Sequence, residues 1–169
     1  VCGGSAVPRM LMEKFQERYG VRIIQAWGMT ETSPFGAIAL PPKGATAADE
    51  MTWRTKTGRV CAGVELRIVD DAGKPLPWDG TTAGEIEVRG PNLFAGYWPD
   101  GSGGPDADGW WATGDVGFLD PDGDLFLVDR VKELVVVSGF NVYPHEVEDL
   151  IRAVDGIREA AVIGVDDDE

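Results

Sequence analysis

The apolar pattern predicts a helix near the start of the chain and a strand directly after it. Three large apolar residues recur at four-residue spacing: Leu11, Phe15 and Tyr19. Pro8 stands where a first-turn proline is tolerated and Gly20 follows the last apolar position, so the pattern predicts a helix over residues 8–19. The run VRIIQAW (21–27) is rich in β-branched and aromatic residues, which favours a buried strand. Residues 1–40 therefore read as one strand-helix-strand unit.

Alternation of apolar and polar residues dominates the middle of the chain. It marks four candidate strands, at residues 64–69, 85–89, 110–119 and 124–128. The last two flank the turn DPDG (120–123), which predicts a hairpin. Short strands at intervals of about ten to twenty residues indicate a segment of an antiparallel barrel or sandwich. Residues 41–57 have no usable period, and we predict a surface loop there.

The pattern changes again after Arg130. A β-rich run at 133–139 is followed by Pro144, which opens an amphipathic helix that extends to about Val154. Residues 160–165 predict a final strand. This strand-helix-strand order predicts a second, small α+β domain.

Length and charge limit the function classes. The 169 residues, 43% of them apolar, are enough for a real core and for about one domain of roughly 100–200 residues. The 15 Lys and Arg against 29 Asp and Glu give a net charge of −14, which argues against a free-standing nucleic-acid binder or an anchor to anionic membranes. The chain starts at Val1 without an initiator Met and stops directly after a strand-like run, so we interpret it as an internal piece of a longer protein.

The cysteine count and the apolar runs indicate a compartment. Two cysteines are too few for a disulfide scaffold, so we expect a reducing, cytoplasmic location. No apolar run approaches the ~18 residues that a membrane-spanning helix needs, and no signal peptide is present. We therefore expect no transmembrane segment.

Several familiar motifs fail on inspection. Asp120, Asp122 and Asp124 resemble the start of a calcium loop, but Leu125 takes the position that needs glycine, so a hairpin turn is the better interpretation. The single histidine, His145, is interpreted as a surface residue rather than a catalytic base. The sequence contains no G-x-S-x-G, no Walker loop and no G-x-G-x-x-G, which removes the common hydrolase, P-loop and Rossmann interpretations.

Three short segments suit one kind of ligand. WGMTET (27–32) places an aromatic ring, a hydroxyl and a carboxylate at a strand end. The ring can stack on a base, the hydroxyl can hydrogen-bond a phosphate and the carboxylate can bind Mg²⁺. WATGD (111–115) ends in a carboxylate that can accept both hydroxyls of a ribose, and DRVKE (129–133) supplies cations at the domain junction. Each segment alone also fits a structural interpretation, as a core Trp, a turn Asp and a solvated charge cluster. Their order along the chain favours a nucleotide site.

Taken together, these segments resemble the adenylate-forming enzymes, and specifically acyl-CoA synthetases of the fatty-acid and 4-coumarate ligase type. The matching stretches are VCGGSAVP, WGMTETSP, GEIEVRGPNLFAGYW, GWWATGD and DRVKELVVVSGFNVYPHEVE, in the family's order over nearly the whole chain. The form SGFNVYP (138–144) is most similar to long-chain fatty acyl-CoA synthetases.

The resemblance implies a mixed α/β and β architecture in three parts. Residues 1–57 would be the end of an α/β sheet subdomain within a large domain. Residues 58–129 would form a distorted antiparallel β-barrel subdomain. Residues 130–169 would hold a hinge and the start of a small, mobile α+β C-terminal lid domain.

The resemblance also implies an ATP and AMP site. Its residues would be Gly3, Gly4, Ser5, Ala26, Trp27, Gly28, Met29, Thr30, Asp115 and Arg130. Trp27, where the family usually has Tyr, would stack on the adenine, while Asp115 and Arg130 would hold the ribose hydroxyls. Thr30 would contact the α-phosphate and Glu31 would bind Mg²⁺, which makes both of them catalytic residues.

Further residues are implied for the second half of the reaction. Lys132, counted with the catalytic residues, would be the hinge about which the lid rotates, and Ser138 and Gly139 would lie beside the pantetheine arm of CoA. The implied reaction joins a carboxylic acid, which the SGFNVYP form favours as a fatty acid, to AMP with release of pyrophosphate, and then passes the acyl group to CoA. ATP and CoA are the expected co-substrates and Mg²⁺ the expected cofactor.

Several alternatives stay open at this point. A fatty acyl-AMP ligase or a carrier-loading adenylation enzyme would share these motifs, and a non-catalytic interaction module would share the scaffold. We expect no nucleic-acid partner, and we leave a peripheral membrane contact and a homodimer open. The family's phosphate-gripping loop and terminal catalytic lysine are expected outside these 169 residues, so the isolated chain is expected to lack ligase activity.

Overall fold

The computed structural model describes residues 1–4, 7–131, 134–137 and 140–165. Its helices are α1 (Arg9–Tyr19), α2 (Ala47–Arg54) and α3 (Pro144–Arg152), with a 3₁₀ helix at Thr30–Thr32. Its strands are β1 (Ala26–Trp27), β2 (Ala37–Ile38), β3 (Gly58–Val60), β4 (Glu65–Val69), β5 (Gly84–Arg89), β6 (Trp111–Leu119), β7 (Asp124–Arg130), β8 (Val135–Val137) and β9 (Phe140–Val142).

Strands β1 to β7 form one antiparallel sheet in the order β1-β2-β3-β7-β6-β5-β4. The predicted hairpin is its centre, because β6 and β7 pair along their length and meet at the predicted turn. In that turn the carboxylate of Asp120 accepts hydrogen bonds from the backbone N–H groups of Asp122 (3.0 Å) and Asp124 (2.9 Å). The predicted mixed fold with an antiparallel sheet is confirmed, whereas the three domain boundaries stay a prediction.

The first forty residues contain helix α1 and the short strands β1 and β2; of the predicted strand before the helix, the described residues show only an isolated bridge at Cys2. Helix α1 ends at Gly20, which adopts the left-handed conformation at φ +66° and donates its N–H to the carbonyl of Gln16 (3.0 Å). The chain then returns so that Gln25 forms a parallel bridge with Cys2. The strand is shorter than the predicted 21–27, because regular pairing begins only at Ala26, where β2 lies alongside.

The surface loop predicted over residues 41–57 is wrong, because helix α2 forms within this range. The Thr46 hydroxyl caps the helix by accepting the Asp49 N–H at 3.2 Å. Met51 and Arg54 are buried on its inner side. The guanidinium of Arg54 donates to the carbonyl of Ile23 at 2.7 Å and to the side chain of Gln16. A helix of eight residues held by a buried arginine shows too little apolar periodicity to be read from the sequence.

The C-terminal part differs from expectation in two places. Strand β8 lies within the β-rich run predicted at 133–139, and it pairs antiparallel with an unpredicted strand, β9. The strand predicted at 160–165 is wrong, since these residues lie in extended chain outside any strand. The backbone N–H of Val162 donates to the carboxylate of Glu148 (3.0 Å) instead of to a neighbouring strand. The predicted helix from Pro144 is confirmed as α3.

The core lies on one face of the large sheet. Its fully buried members include Ile68, Ile86, Val88, Leu119 and Leu125. Burying one such side chain stabilises the fold by about 1.5–3 kcal/mol. Trp27 belongs to the same cluster, so the core extends directly to the segment that the sequence marks for nucleotide binding. Within the described residues, no helix is both long and apolar enough to traverse a bilayer.

Candidate functional site

A cleft of about 840 Å³ lies between the sheet and the C-terminal part of the chain. On the sheet side it is lined by most of the residues predicted to bind ATP or AMP: Gly4, Ala26, Trp27, Gly28, Met29, Asp115 and Arg130. On the other side it is lined by the start of α3 and by residues 161–164. The fold therefore gathers into one cavity predicted site residues that lie in four separate segments of the sequence.

Not every predicted site residue lies in this cleft. Gly3 and Thr30 are described by the structure but do not line it. Ser5, which was predicted for the nucleotide site, lies outside the described residues, as do the predicted hinge Lys132 and the predicted CoA contacts Ser138 and Gly139.

Asp115 is the centre of a buried polar network in the cleft. One carboxylate oxygen, Oδ2, accepts a hydrogen bond from the indole N–H of Trp27 at 2.8 Å. The other, Oδ1, lies 3.2 Å from Nε of Arg130. Asp115 and Trp27 are only 6% and 5% exposed, whereas the Arg130 side chain is 66% exposed. A buried carboxylate needs such partners, and its remaining lone pairs are available to hydroxyl donors of a ligand.

The sheet register fixes Asp115 against Arg130. The two residues are direct partners across the β6–β7 pair. On the other side of β6, the hydroxyl of Thr113 donates to the carbonyl of Ile86 in β5 at 2.8 Å and accepts the N–H of Asp115 at 3.2 Å. Thr113 thus fixes the backbone of Asp115 in the sheet.

Two glycines shape the turn that carries Trp27. A Cβ atom on Gly36 would lie 2.4 Å from ring carbon Cζ3 of Trp27, and one on Gly28 would lie 1.9 Å from the carbonyl oxygen of Pro34. The N–H of Gly36 also donates to the carbonyl of Trp27 at 2.9 Å. Gly28 was predicted for the site, but Gly36 was not. Its only signal in the sequence is its place just after the WGMTETSP stretch.

Glu31 lies outside the cleft and is held in place by residues of another family-like stretch, GEIEVRGPNLFAGYW. Its carboxylate Oε1 accepts a hydrogen bond from the hydroxyl of Tyr97 at 2.7 Å, and its backbone carbonyl accepts the N–H of Phe94 at 2.9 Å. The hydrogen bond to Glu31 raises the pKa of Tyr97, because only the protonated phenol can donate it. The side chain of Asn92 donates to the carbonyl of Thr32 at 2.6 Å. The segment PNLFAGYW therefore braces the WGMTET turn.

The chemistry of Glu31 fits a magnesium ion shared with phosphates. Within the described residues, no cluster of three or more His, Cys, Asp or Glu side chains is placed to hold a metal. Mg²⁺ bound with nucleotides takes only one or two carboxylates and fills its other positions with phosphate oxygens and water. A single, half-buried Glu31 matches that requirement.

Asp129 joins the strand end of the cleft to α3. Its carboxylate accepts the backbone N–H of Arg130 at 2.8 Å and that of His145, in the first turn of α3, at 3.4 Å. A carboxylate at a helix N-terminus is favourable because the unpaired N–H groups there carry partial positive charge. The side chain of His145 is half exposed, and its ring nitrogens lie 3.9 Å from Glu148 and 3.6 Å from Asp149.

Comparison with known proteins agrees with this geometry. The sequence profile of the family described as AMP-binding enzyme matches residues 1–98. A ligase of Mycobacterium tuberculosis, named 3-[(3aS,4S,7aS)-7a-methyl-1,5-dioxo-octahydro-1H-inden-4-yl]propanoyl:CoA ligase, is 40% identical over 99% of this chain and 30% of its own length. The medium-chain-fatty-acid–CoA ligase of Ectopseudomonas oleovorans is 39% identical over 96% of this chain and 30% of its own length.

A solved structure extends the likeness to the fold. The ATP-bound MatB of Rhodopseudomonas palustris superposes with a TM-score of 0.78 at 34% identity, over 96% of this chain and 31% of that one. The chain thus spans about a third or less of the length of these relatives. Because the family profile covers more than half of the 169 residues and the folds agree, the chain belongs to the AMP-binding enzyme family of adenylate-forming proteins.

Proposed function

We propose that this chain forms part of the nucleotide site of an AMP-forming ligase that joins a carboxylic acid to the thiol of CoA. The observation that carries the proposal is the network that joins the buried Trp27 and Asp115 to the exposed Arg130 on the wall of the cleft. It combines an aromatic surface with a carboxylate and a cation, which are the groups that an adenosine requires. The names of the two CoA ligase relatives support the same reaction class.

In the first half-reaction the acid's carboxylate oxygen attacks the α-phosphorus of ATP. The new O–P bond gives the acyl adenylate, and the electron pair of the broken P–O bond leaves with pyrophosphate. Trp27 presents its face to the adenine, Asp115 accepts the ribose hydroxyls and Thr30 donates to the α-phosphate. These residues contribute by holding the two reactants in place, which converts an encounter into an intramolecular step.

Glu31 is the proposed metal ligand of this half-reaction. Mg²⁺, when bound, neutralises charge on the phosphates during displacement. The hydroxyl of Tyr97 holds one oxygen of Glu31, so the carboxylate is oriented before the nucleotide arrives.

In the second half-reaction the thiol sulfur of CoA attacks the acyl carbon, and AMP leaves with the electron pair of the broken C–O bond. We assign Lys132 as the hinge and Ser138 with Gly139 as the residues beside the pantetheine arm. The cleft supports this assignment, because one of its walls belongs to the segment that follows the hinge. A rotation there exchanges the groups that face the adenylate.

A fatty acid is the proposed substrate class, and the cytoplasm the proposed location. The SGFNVYP form and the medium-chain-fatty-acid–CoA ligase relative support the acid class. The two cysteines, Cys2 and Cys61, are both free, which agrees with a reducing compartment.

The test measures the two half-reactions separately in the polypeptide that carries this chain. We expect acid-dependent exchange of pyrophosphate into ATP, strongest with fatty acids in a panel that includes aromatic and short dicarboxylic acids. CoA should then yield the thioester. Exchange without thioester formation would indicate an acyl-AMP ligase, and absence of exchange with every acid would disprove the proposal.

A further inference from the structure

The hydrogen bond between Trp27 and Asp115 joins two residues that are 88 positions apart and both almost fully buried. Their roles toward a nucleotide, stacking on the base and accepting the ribose hydroxyls, do not require contact between them. The structure nevertheless places the indole N–H 2.8 Å from one carboxylate oxygen. This contact therefore needs its own explanation.

The geometry of the Asp115 carboxylate explains this contact. A carboxylate has about four lone-pair sites, two on each oxygen. The indole N–H occupies one site on Oδ2, and Nε of Arg130 forms an ion pair with Oδ1 at 3.2 Å. Among the described residues, at least one lone-pair site therefore stays free on each oxygen. Two neighbouring ribose hydroxyls need that same arrangement, one acceptor on each oxygen of a single carboxylate.

The two partners hold the carboxylate with different firmness. Arg130 is mostly exposed, so solvent competes with its contact and its long side chain can move. Trp27 is fixed by the core and by its close packing against Gly36. Of the two donors, only the indole can prevent rotation of the carboxylate plane before a ligand binds.

We propose that Trp27 is a positioning residue for the ribose: its indole N–H orients the Asp115 carboxylate so that both free lone pairs face the ribose hydroxyls. This inference rests on the proposed function, since it concerns the same nucleotide site. It separates two contributions of one side chain, the aromatic face that any aromatic residue supplies and the N–H that phenylalanine and tyrosine lack at this position. The N–H contribution acts on the ribose alone.

Nucleotides with and without ribose hydroxyls distinguish the two contributions. Affinity for ATP and for 2′,3′-dideoxy-ATP is measured by calorimetry on the unaltered protein, on Trp27→Phe and on Trp111→Phe. The control is matched because the Trp111 indole N–H also donates a hydrogen bond, to the carbonyl of Gly103 at 2.8 Å, but outside the cleft. For Trp27→Phe we expect about tenfold weaker ATP binding and less than twofold change with dideoxy-ATP, the effect of losing one hydrogen bond to a charged group. Trp111→Phe should bind both nucleotides normally.

Each other outcome has a distinct meaning. Equal losses with both nucleotides, or no loss with either, would overturn the positioning role while leaving the proposed function in place. If the unaltered protein bound neither nucleotide, the proposed function would fail and this inference with it.

A measurement on the unaltered protein tests the proposal even if Trp27→Phe fails to fold. The indole ¹H–¹⁵N proton of Trp27 should exchange slowly with solvent. Its resonance should shift further on addition of ATP than of dideoxy-ATP, because adenine stacking shifts it with both nucleotides and the ribose hydroxyls add their effect only with ATP. Rapid exchange, or the same shift with both nucleotides, would contradict the proposal.

Discussion

At the scale of single residues, Asp115 is the group on which the site depends most. It lies at 6% exposure with Trp27 on one oxygen and Arg130 on the other. Burying a carboxylate is unfavourable unless it is well paired. A buried carboxylate that also faces a cleft is therefore suited to accept hydrogen bonds from a ligand with its remaining lone pairs.

Replacement of Asp115 by alanine should weaken ATP binding by at least about tenfold, because the ribose hydroxyls lose a charged acceptor. The same change leaves the buried indole N–H of Trp27 without its partner, which should lower the free energy of unfolding by about 1–3 kcal/mol. Calorimetry and urea unfolding measure the two effects.

Asp122→Ala is the matched control for that change. Asp122 lies on the exposed turn at the far end of the same β6–β7 hairpin, and its replacement should alter neither quantity. Normal ATP affinity in Asp115→Ala would refute the assigned role.

At the scale of elements, the turn between β1 and β2 sets where the indole lies. Gly36 has no space for a side chain, since an added Cβ would meet two indole carbons at 2.4 and 2.6 Å. The indole belongs to the core and cannot move away freely, unlike the far end of a flexible side chain.

Gly36→Ala should therefore displace the Trp27 ring and disturb its hydrogen bond to Asp115. We expect a loss of about 1–3 kcal/mol in the free energy of unfolding, typical of an overpacked core, together with weaker ATP binding. Thermal unfolding and nucleotide titration check both parts.

Gly44→Ala separates this clash from the general effect of replacing a glycine. Gly44 has φ +86° and no atom within 4 Å of an added Cβ, so its replacement strains the backbone without touching the site. Stability should fall slightly and ATP affinity should stay normal. Normal ATP affinity in Gly36→Ala would contradict the argument.

The sequence predicted elements well where a regular pattern carries them. Alternation identified β4 to β7, and helix α3 began at the predicted Pro144. It failed at α2, whose inner face is completed by Arg54, a residue that patterns count as polar although here it is 1% exposed. It failed again at 160–165, where an apolar run forms no strand.

For the site, the sequence likewise predicted one part and missed another: it named the residues but not their contacts. Local motifs named Trp27, Asp115 and Arg130, but their contacts depend on the pairing of β6 with β7 and on a bond across 88 positions. The bracing of Glu31 by Tyr97, 66 positions away, was equally invisible. Contacts of this range follow from the fold and leave no periodic trace in the sequence.

At the scale of the whole chain, the net charge opposes binding of the nucleotide that we propose as the ligand. The net charge is −14, and residues 91–129 contain no Lys or Arg. Arg130 is the first cation after this stretch, and it faces the cleft. Long-range attraction therefore contributes little to nucleotide binding, and specific contacts must provide the affinity. We propose that the segment from Lys132 onward is the part whose movement decides which groups reach the ligand.

Lys132→Pro tests that movement. Proline fixes φ near −65° and removes the backbone N–H, so a residue whose backbone must rotate between two conformations is held in one. We expect one half-reaction, pyrophosphate exchange or thioester formation, to fall sharply while the other stays near its original rate. Lys132→Ala removes the side chain but keeps the backbone free, and it should preserve the ratio of the two rates. Equal losses in both half-reactions for Lys132→Pro would show that the lysine is not the hinge, because a locked hinge blocks only the conformation that it cannot reach.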